Sequence, residues 1–162
     1  MKLLFLGTGA ADWDIKSPVR EEGFRRFTST LVDGILLIDP GPCVLEALDT
    51  FGANQNGIKY IINTHSHSDH YNKETVDALE KSGAEFIFFE SGEEKQIGKY
   101  KISAFTANHG TCKGAVHFII DDGEKKLFYG LDSAWLLYEE VQAIIKNHID
   151  LAVLDATIGD VP

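Results

Sequence analysis

Residues 65–70 read His-Ser-His-Ser-Asp-His, directly after an apolar, strand-like run, Ile58-Lys59-Tyr60-Ile61-Ile62-Asn63. Three imidazoles and a carboxylate this close together make a poor core segment, because each buried polar group needs a partner. They suit one or two divalent transition metals, since neutral imidazole and ionised carboxylate are ligands for zinc, manganese and iron. Three of the chain's six histidines crowd into this loop. A fold for this chain therefore has to carry a strand's end into a metal-binding loop and bring further ligands to it.

The chain has 162 residues, enough for a single domain with a real core spanning 1–162. Hydrophobic residues make up 44% and charged residues 25%, the balance of a globular protein rather than a disordered one. The formal charge of -10 argues against general nucleic-acid binding, which needs a basic footprint. A bound metal pair would cancel part of that charge locally, so a small anionic substrate remains admissible. The opening Met1-Lys2-Leu3-Leu4-Phe5-Leu6-Gly7 is too short in apolar residues for a signal peptide. No stretch approaches the length needed to span a bilayer. Cys43 and Cys112, without CxxC spacing, fit a reduced compartment. A soluble, cytoplasmic protein is expected, with no membrane partner; a homodimer is compatible with the sequence.

Strand-like and helical runs alternate along the chain. Lys2–Leu6 reads as a first strand, ended by Gly7-Thr8-Gly9, and 10–27 as a long polar loop. Thr28–Val32 and Ile35–Asp39 flank Asp33-Gly34, a two-residue hairpin signal. After Pro40-Gly41-Pro42, Val44–Phe51 has helical spacing. Asn72 is placed to cap a helix running to about Lys81, with Val76 and Leu79 inward and Gly83 as its stop. Strands are expected over Glu85–Phe89, Lys95–Ile97, Lys101–Thr106, Ala115–Asp121 and Lys125–Tyr129, then a helix over Tyr138–Asn147 and a buried strand, Leu151–Asp155. Hairpins interspersed with βα units suggest a layered α/β sandwich.

His65 and His67, two apart in an extended loop, can point the same way and share one metal. Asp69 and His70, where the chain turns into the helix, face a neighbouring position, and two-metal centres need only about 3.5–4 Å between ions. One loop cannot complete a coordination shell, so further ligands should sit at other strand ends. His109 follows the run ending at Thr106, and Asp132 follows Leu127-Phe128-Tyr129-Gly130-Leu131. The competing readings are a solvated loop histidine and a helix-capping aspartate.

The order strand, HxHxDH, helix, a lone histidine, then an aspartate after a strand resembles the metallo-β-lactamase superfamily. The resemblance spans Gly7-Thr8-Gly9 to Asp155. It implies a four-layer αββα sandwich, in the α/β (α+β) class, with its site along one edge between two sheets. Carried over, it implies that His65, His67 and His109 bind one metal, Asp69 and His70 a second, and that Asp132 bridges both. Leu6-Gly7-Thr8-Gly9-Ala10-Ala11, Ile38-Asp39-Pro40-Gly41-Pro42, Asn108-His109 and Leu154-Asp155-Ala156-Thr157 look like the phosphodiesterase and ribonuclease Z branch. They look most like the small cyclic-phosphate phosphodiesterases of the carbon–phosphorus lyase accessory type.

One departure stands out. The family pattern has another histidine on the second metal near the C-terminus, and the only histidine after Asp132 is His148, expected at a helix end. The second half of the sandwich is accordingly expected to be incomplete, the chain a fragment, and the second metal weakly held.

The expected chemistry is hydrolysis of a small, cyclic or linear phosphodiester by a metal-bound hydroxide, with two divalent ions, zinc or manganese, and Asp69 as the catalytic carboxylate. Lactonase or thioesterase activity is the alternative within the fold. Outside it stands a non-catalytic metal-binding fragment lacking the last ligand. Gly7-Thr8-Gly9 lacks the lysine of a P-loop and the third glycine of a dinucleotide fingerprint, and reads as a tight turn rather than a nucleotide cradle. Cys112 reads as a small buried residue rather than a ligand.

Overall fold

Each of the protein's two sheets is built by one continuous stretch of sequence. The computed structural model describes residues 1–11, 16, 24–110 and 112–156. Lys2–Phe88 form one compact unit; Phe89 onward, together with Met1, form another.

The first unit carries a five-stranded sheet in the order β1-β2-β3-β4-β5. Its strands are β1 (Leu3–Gly7), β2 (Ser29–Val32), β3 (Leu36–Ile38), β4 (Tyr60–Ile62) and β5 (Glu85–Phe86). The expected hairpin joins β2 to β3 in antiparallel register, Val32 opposite Leu36. Three residues, 33–35, connect the strands where two were expected; Asp33 (φ 50°) and Gly34 (φ 75°) both take the positive φ of a hairpin turn, closed by the Ile35 N–H on the Val32 carbonyl at 3.0 Å. From β3 onward the pairing turns parallel, because helices α1 (Val44–Thr50) and α2 (Lys73–Lys81) make the crossovers. Their apolar stripes, Val44, Ala47 and Leu48 from α1 and Leu79 from α2, close a core with Leu6, Leu31, Leu37, Ile58 and Ile61. Asn72 caps α2 as expected, its side chain accepting from the Thr75 N–H at 2.9 Å, and Gly83 follows the helix at φ 99°.

The glycine-rich opening has a packing reason. A Cβ on Gly7 would lie 2.0 Å from the Phe27 carbonyl oxygen, so only glycine lets these backbones meet. Gly9 then donates to the Arg26 carbonyl at 2.8 Å. This is close strand packing rather than the expected tight turn: Gly7 still belongs to β1 and Gly9 bridges to Phe27. Most of the expected polar loop, 12–15 and 17–23, lies outside the described residues.

The second unit is a meander of β6 (Glu94–Ile97), β7 (Tyr100–Thr106), β8 (Val116–Asp121) and β9 (Lys126–Gly130), in antiparallel pairs. Helix α3 (Tyr138–Asn147), with the bounds read from sequence, leads to β10 (Leu151–Leu154), which pairs parallel to β9 at the sheet's edge. Along β7, buried Tyr100, Ile102 and Ala104 alternate with more exposed neighbours, the period of a strand with one covered face.

Two further expectations need correction. Leu151–Asp155 is not a buried strand: Leu151 is 50% and Leu154 54% exposed. An apolar run cannot distinguish a covered central strand from an edge strand, and among the described residues β10 has a partner on one side only. The strand expected over Glu85–Phe89 spans only Glu85–Phe86, with the Ile87 N–H adding a last bond to the Ile61 carbonyl at 2.8 Å.

Candidate metal centre

The chain leaves β4 and is folded back by turns at once. His70 and Tyr71 both donate their N–H to the His67 carbonyl, at 3.0 and 2.8 Å. This brings the His65 ring centroid to 4.7 Å from that of His67 and 4.3 Å from that of His70. A ring nitrogen of His65 lies within 4.8 Å of one on His67 and of one on His70. The His70 Nε2 is 3.4 Å from Asp69 Oδ2. His65, Asp69 and His70 are buried and His67 is half-buried. His65 thus lies close to both of the other rings.

A residue whose role is not marked by the local pattern organises this loop. Asp39 is fully buried at the end of β3 and takes a left-handed φ of 60°. Its Oδ1 accepts from the Thr64 N–H at 2.7 Å and from the Thr64 hydroxyl at 2.8 Å. Its Oδ2 is 2.9 Å from His70 Nδ1. The Thr64 Oγ1 is also 3.0 Å from His65 Nδ1. Hydrogen bookkeeping follows from the groups themselves. A carboxylate only accepts, so the single hydroxyl hydrogen of Thr64 goes to Asp39, and Thr64 accepts from His65 Nδ1–H. His70 likewise donates Nδ1–H to Asp39. In their neutral forms both imidazoles are thereby set in the tautomer that keeps a lone pair on Nε2, the arrangement of carboxylate-supported metal histidines.

The strap carrying Asp39 is held closely against the loop. A Cβ on Gly41 would lie 2.3 Å from the Asp69 carbonyl oxygen. The Asn72 N–H and Thr75 hydroxyl bind the carbonyls of Pro40 and Gly41 at 2.9 and 3.1 Å. Asn63 Nδ2 donates to the His65 carbonyl. The signal in the sequence was the aspartate at a strand end before Pro-Gly-Pro; its partners, 25 and 31 residues away, were not legible locally.

His109 and Asp132 belong to the other unit. There His109 follows β7, with its carbonyl bound by the Cys112 N–H at 3.0 Å. Cys112 is half-buried rather than buried. Asp132 follows β9 with φ 54°, a conformation costly for a residue other than glycine and common at functional sites. The Ala134 N–H binds the Asn108 carbonyl at 3.2 Å, tying these two loops together. His148 ends α3 as its left-handed C-cap, φ 52°, the helix-terminus position expected for it. Trp13 and Arg20, in the expected polar loop 10–27, lie outside the described residues. Arg26 binds Glu46 and Thr50 at 2.9 and 3.2 Å and lies over the Phe51 ring.

The family model described as the Metallo-beta-lactamase superfamily matches residues 28–72, which include Asp39 and the whole histidine loop. No curated protein matches by sequence. Among solved structures, zinc-bound PqqB from Methylobacterium extorquens superposes with a TM-score of 0.68 at 14% identity, over 94% of this chain and 72% of that one. A diphosphatase of the PhnP family gives a TM-score of 0.61 at 18% identity, over 88% of this chain and 69% of that one. The metallo-β-lactamase fold protein YhfI from Bacillus subtilis gives 0.58 at 15% identity; there the matched region is 78% of this chain and 60% of that one. The chain therefore has the metallo-β-lactamase fold, a mixed α/β fold with two sheets and three α-helices among the described residues.

Proposed function

We propose that this chain is a metal-dependent hydrolase of the metallo-β-lactamase superfamily, acting on a small phosphodiester, cyclic ones included. The observation that carries the metal reading is the Asp39–Thr64 network, which presents His65 and His70 as Nε2 ligands. A zinc-bound neighbour and a diphosphatase neighbour of the same fold support it.

In this reading His65, His67, Asp69, His70, His109 and Asp132 hold divalent metal, zinc or manganese, two ions in all. The donor set fits: nitrogen and carboxylate oxygen ligands without thiolate suit either metal. That His109 and Asp132 join the loop's ligands rests on their order in the sequence, as the superfamily resemblance implies. When bound, the ions supply Lewis acidity, lowering the pKa of water and neutralising charge on an anionic substrate. The chain's own residues do the rest. Asp69 holds a proton or orients the attacking water at its carboxylate, while Asp39 and Thr64 hold the histidines in one tautomer. A small-molecule substrate and a cytoplasmic setting, without nucleic acid or membrane, belong to the same proposal.

The test is hydrolysis of bis-p-nitrophenyl phosphate by metal-loaded protein. His67→Ala and Asp132→Ala should each lose about 100-fold or more in kcat/KM, as expected when a metal ligand is removed. Full activity in both variants would end the reading. Faster turnover of lactones or thioesters would keep the hydrolase and move its substrate to carboxylic esters.

A further inference from the structure

We propose that His117 is a positioning residue that sets Asp132, working through the carbonyl of Leu131; this rests on Asp132 being a metal ligand. His117 is fully buried on β8, with its Nε2 3.0 Å from the Leu131 carbonyl oxygen and its Nδ1 2.5 Å from Glu140 Oε1. Glu140 is the one residue of α3 that is buried, and its Oε2 accepts the Leu137 N–H at 2.8 Å.

The hydrogen positions follow from chemistry. A carbonyl can only accept, so Nε2 carries the hydrogen given to Leu131. Nδ1 and Glu140 Oε1 then share a single proton between them. The pair is locked on both sides: α3 fixes the carboxyl, the carboxyl fixes the imidazole, and the imidazole fixes the Leu131 carbonyl. The Phe128 ring, edge to face at 5.8 Å, holds the imidazole's orientation.

What it fixes is the peptide leading into Asp132, whose left-handed φ of 54° needs support from its surroundings. Two residues further on, the Ala134 N–H is held by the Asn108 carbonyl, next to His109. The stretch 131–134 is thus pinned on either side of Asp132, by His117 before it and by the neighbour of a second candidate ligand after it. A His–Glu pair serving only to join α3 to β8 would have no need of the loop carbonyl. A buried, oriented imidazole hydrogen-bonded one residue from a ligand does.

The test compares two variants in the Glu140→Gln background, which avoids leaving a buried carboxyl alone. His117→Gln keeps an N–H near the Nε2 position; His117→Leu removes it at similar volume. Amide hydrogen exchange on metal-free protein should be about tenfold or more faster over 131–134 with leucine than with glutamine, and equal elsewhere. Equal exchange over 131–134 would overturn the proposal. In zinc competition with a chelator, the leucine variant should bind its weaker zinc roughly 10–100-fold less tightly, as losses of supporting partners do, with glutamine close to the parent. If the parent protein binds no zinc, the metal reading falls, while the exchange comparison still decides whether His117 positions the Asp132 loop.

Discussion

The Nδ1 of His70 lies 2.9 Å from Oδ2 of Asp39, and that one contact joins the end of β3 to the metal loop after β4. The same carboxylate reaches His65 through the Thr64 hydroxyl. Two candidate ligands are oriented by a single buried side chain, so the loop's geometry depends on a residue well outside it.

Asp39→Ala should therefore weaken zinc binding by roughly 10–100-fold, by analogy with other losses of a carboxylate behind a ligating histidine. It also leaves the Thr64 N–H and the His70 Nδ1–H without an acceptor, at a cost of about 3 kcal/mol or more in stability. Chelator competition reads the first effect and urea denaturation of the metal-free protein reads the second.

Thr64→Val keeps shape and removes only the hydroxyl between Asp39 and His65. About 1–3 kcal/mol of stability should be lost, because the buried His65 Nδ1–H loses its acceptor. Zinc affinity should fall less than in Asp39→Ala, since the Asp39–His70 contact survives. A chelator series on both variants checks that order.

Gly41→Ala tests the strap. Its added methyl would meet the Asp69 carbonyl oxygen at 2.3 Å, so either the strap or the metal loop must move. The expected loss is about 1–3 kcal/mol, the range for overpacking, accompanied by weaker metal binding. Thermal unfolding with and without zinc measures both.

How much of this was legible in the sequence depends on how local the cause is. The Asp33-Gly34 turn, the Asn72 cap and the span of α3 follow from neighbouring residues, and all stand in the structure. The histidine loop was legible because its ligand types are concentrated within a few positions. Asp39 and His117 act across the chain, through contacts 31, 23 and 14 residues away, and nothing beside them in sequence marks those partners. The exposure of β10 escaped for the same reason: an apolar strand shows its composition, but not which of its sides is paired.

The second unit offers a pH test independent of any metal. Burial alone would raise the Asp122 carboxyl, but the Lys125 and Glu124 N–H groups and the Met1 ammonium outweigh it and hold it at about 2. A folded pKa below the usual value of 3.8 means that this contribution is present above about pH 4 and is lost as pH falls towards 2. Asp122→Asn should lower stability at neutral pH by about 1 kcal/mol, a figure kept small by solvent screening. It should also flatten the fall between pH 4 and 2 in chemical denaturation curves.

Metal content tests the central claim most directly. Protein purified without chelator, loaded with zinc or manganese and then desalted, should retain about two equivalents per chain. The His65→Ala/His70→Ala variant should retain well under half of that. Wild-type protein that holds no metal after loading would contradict the account.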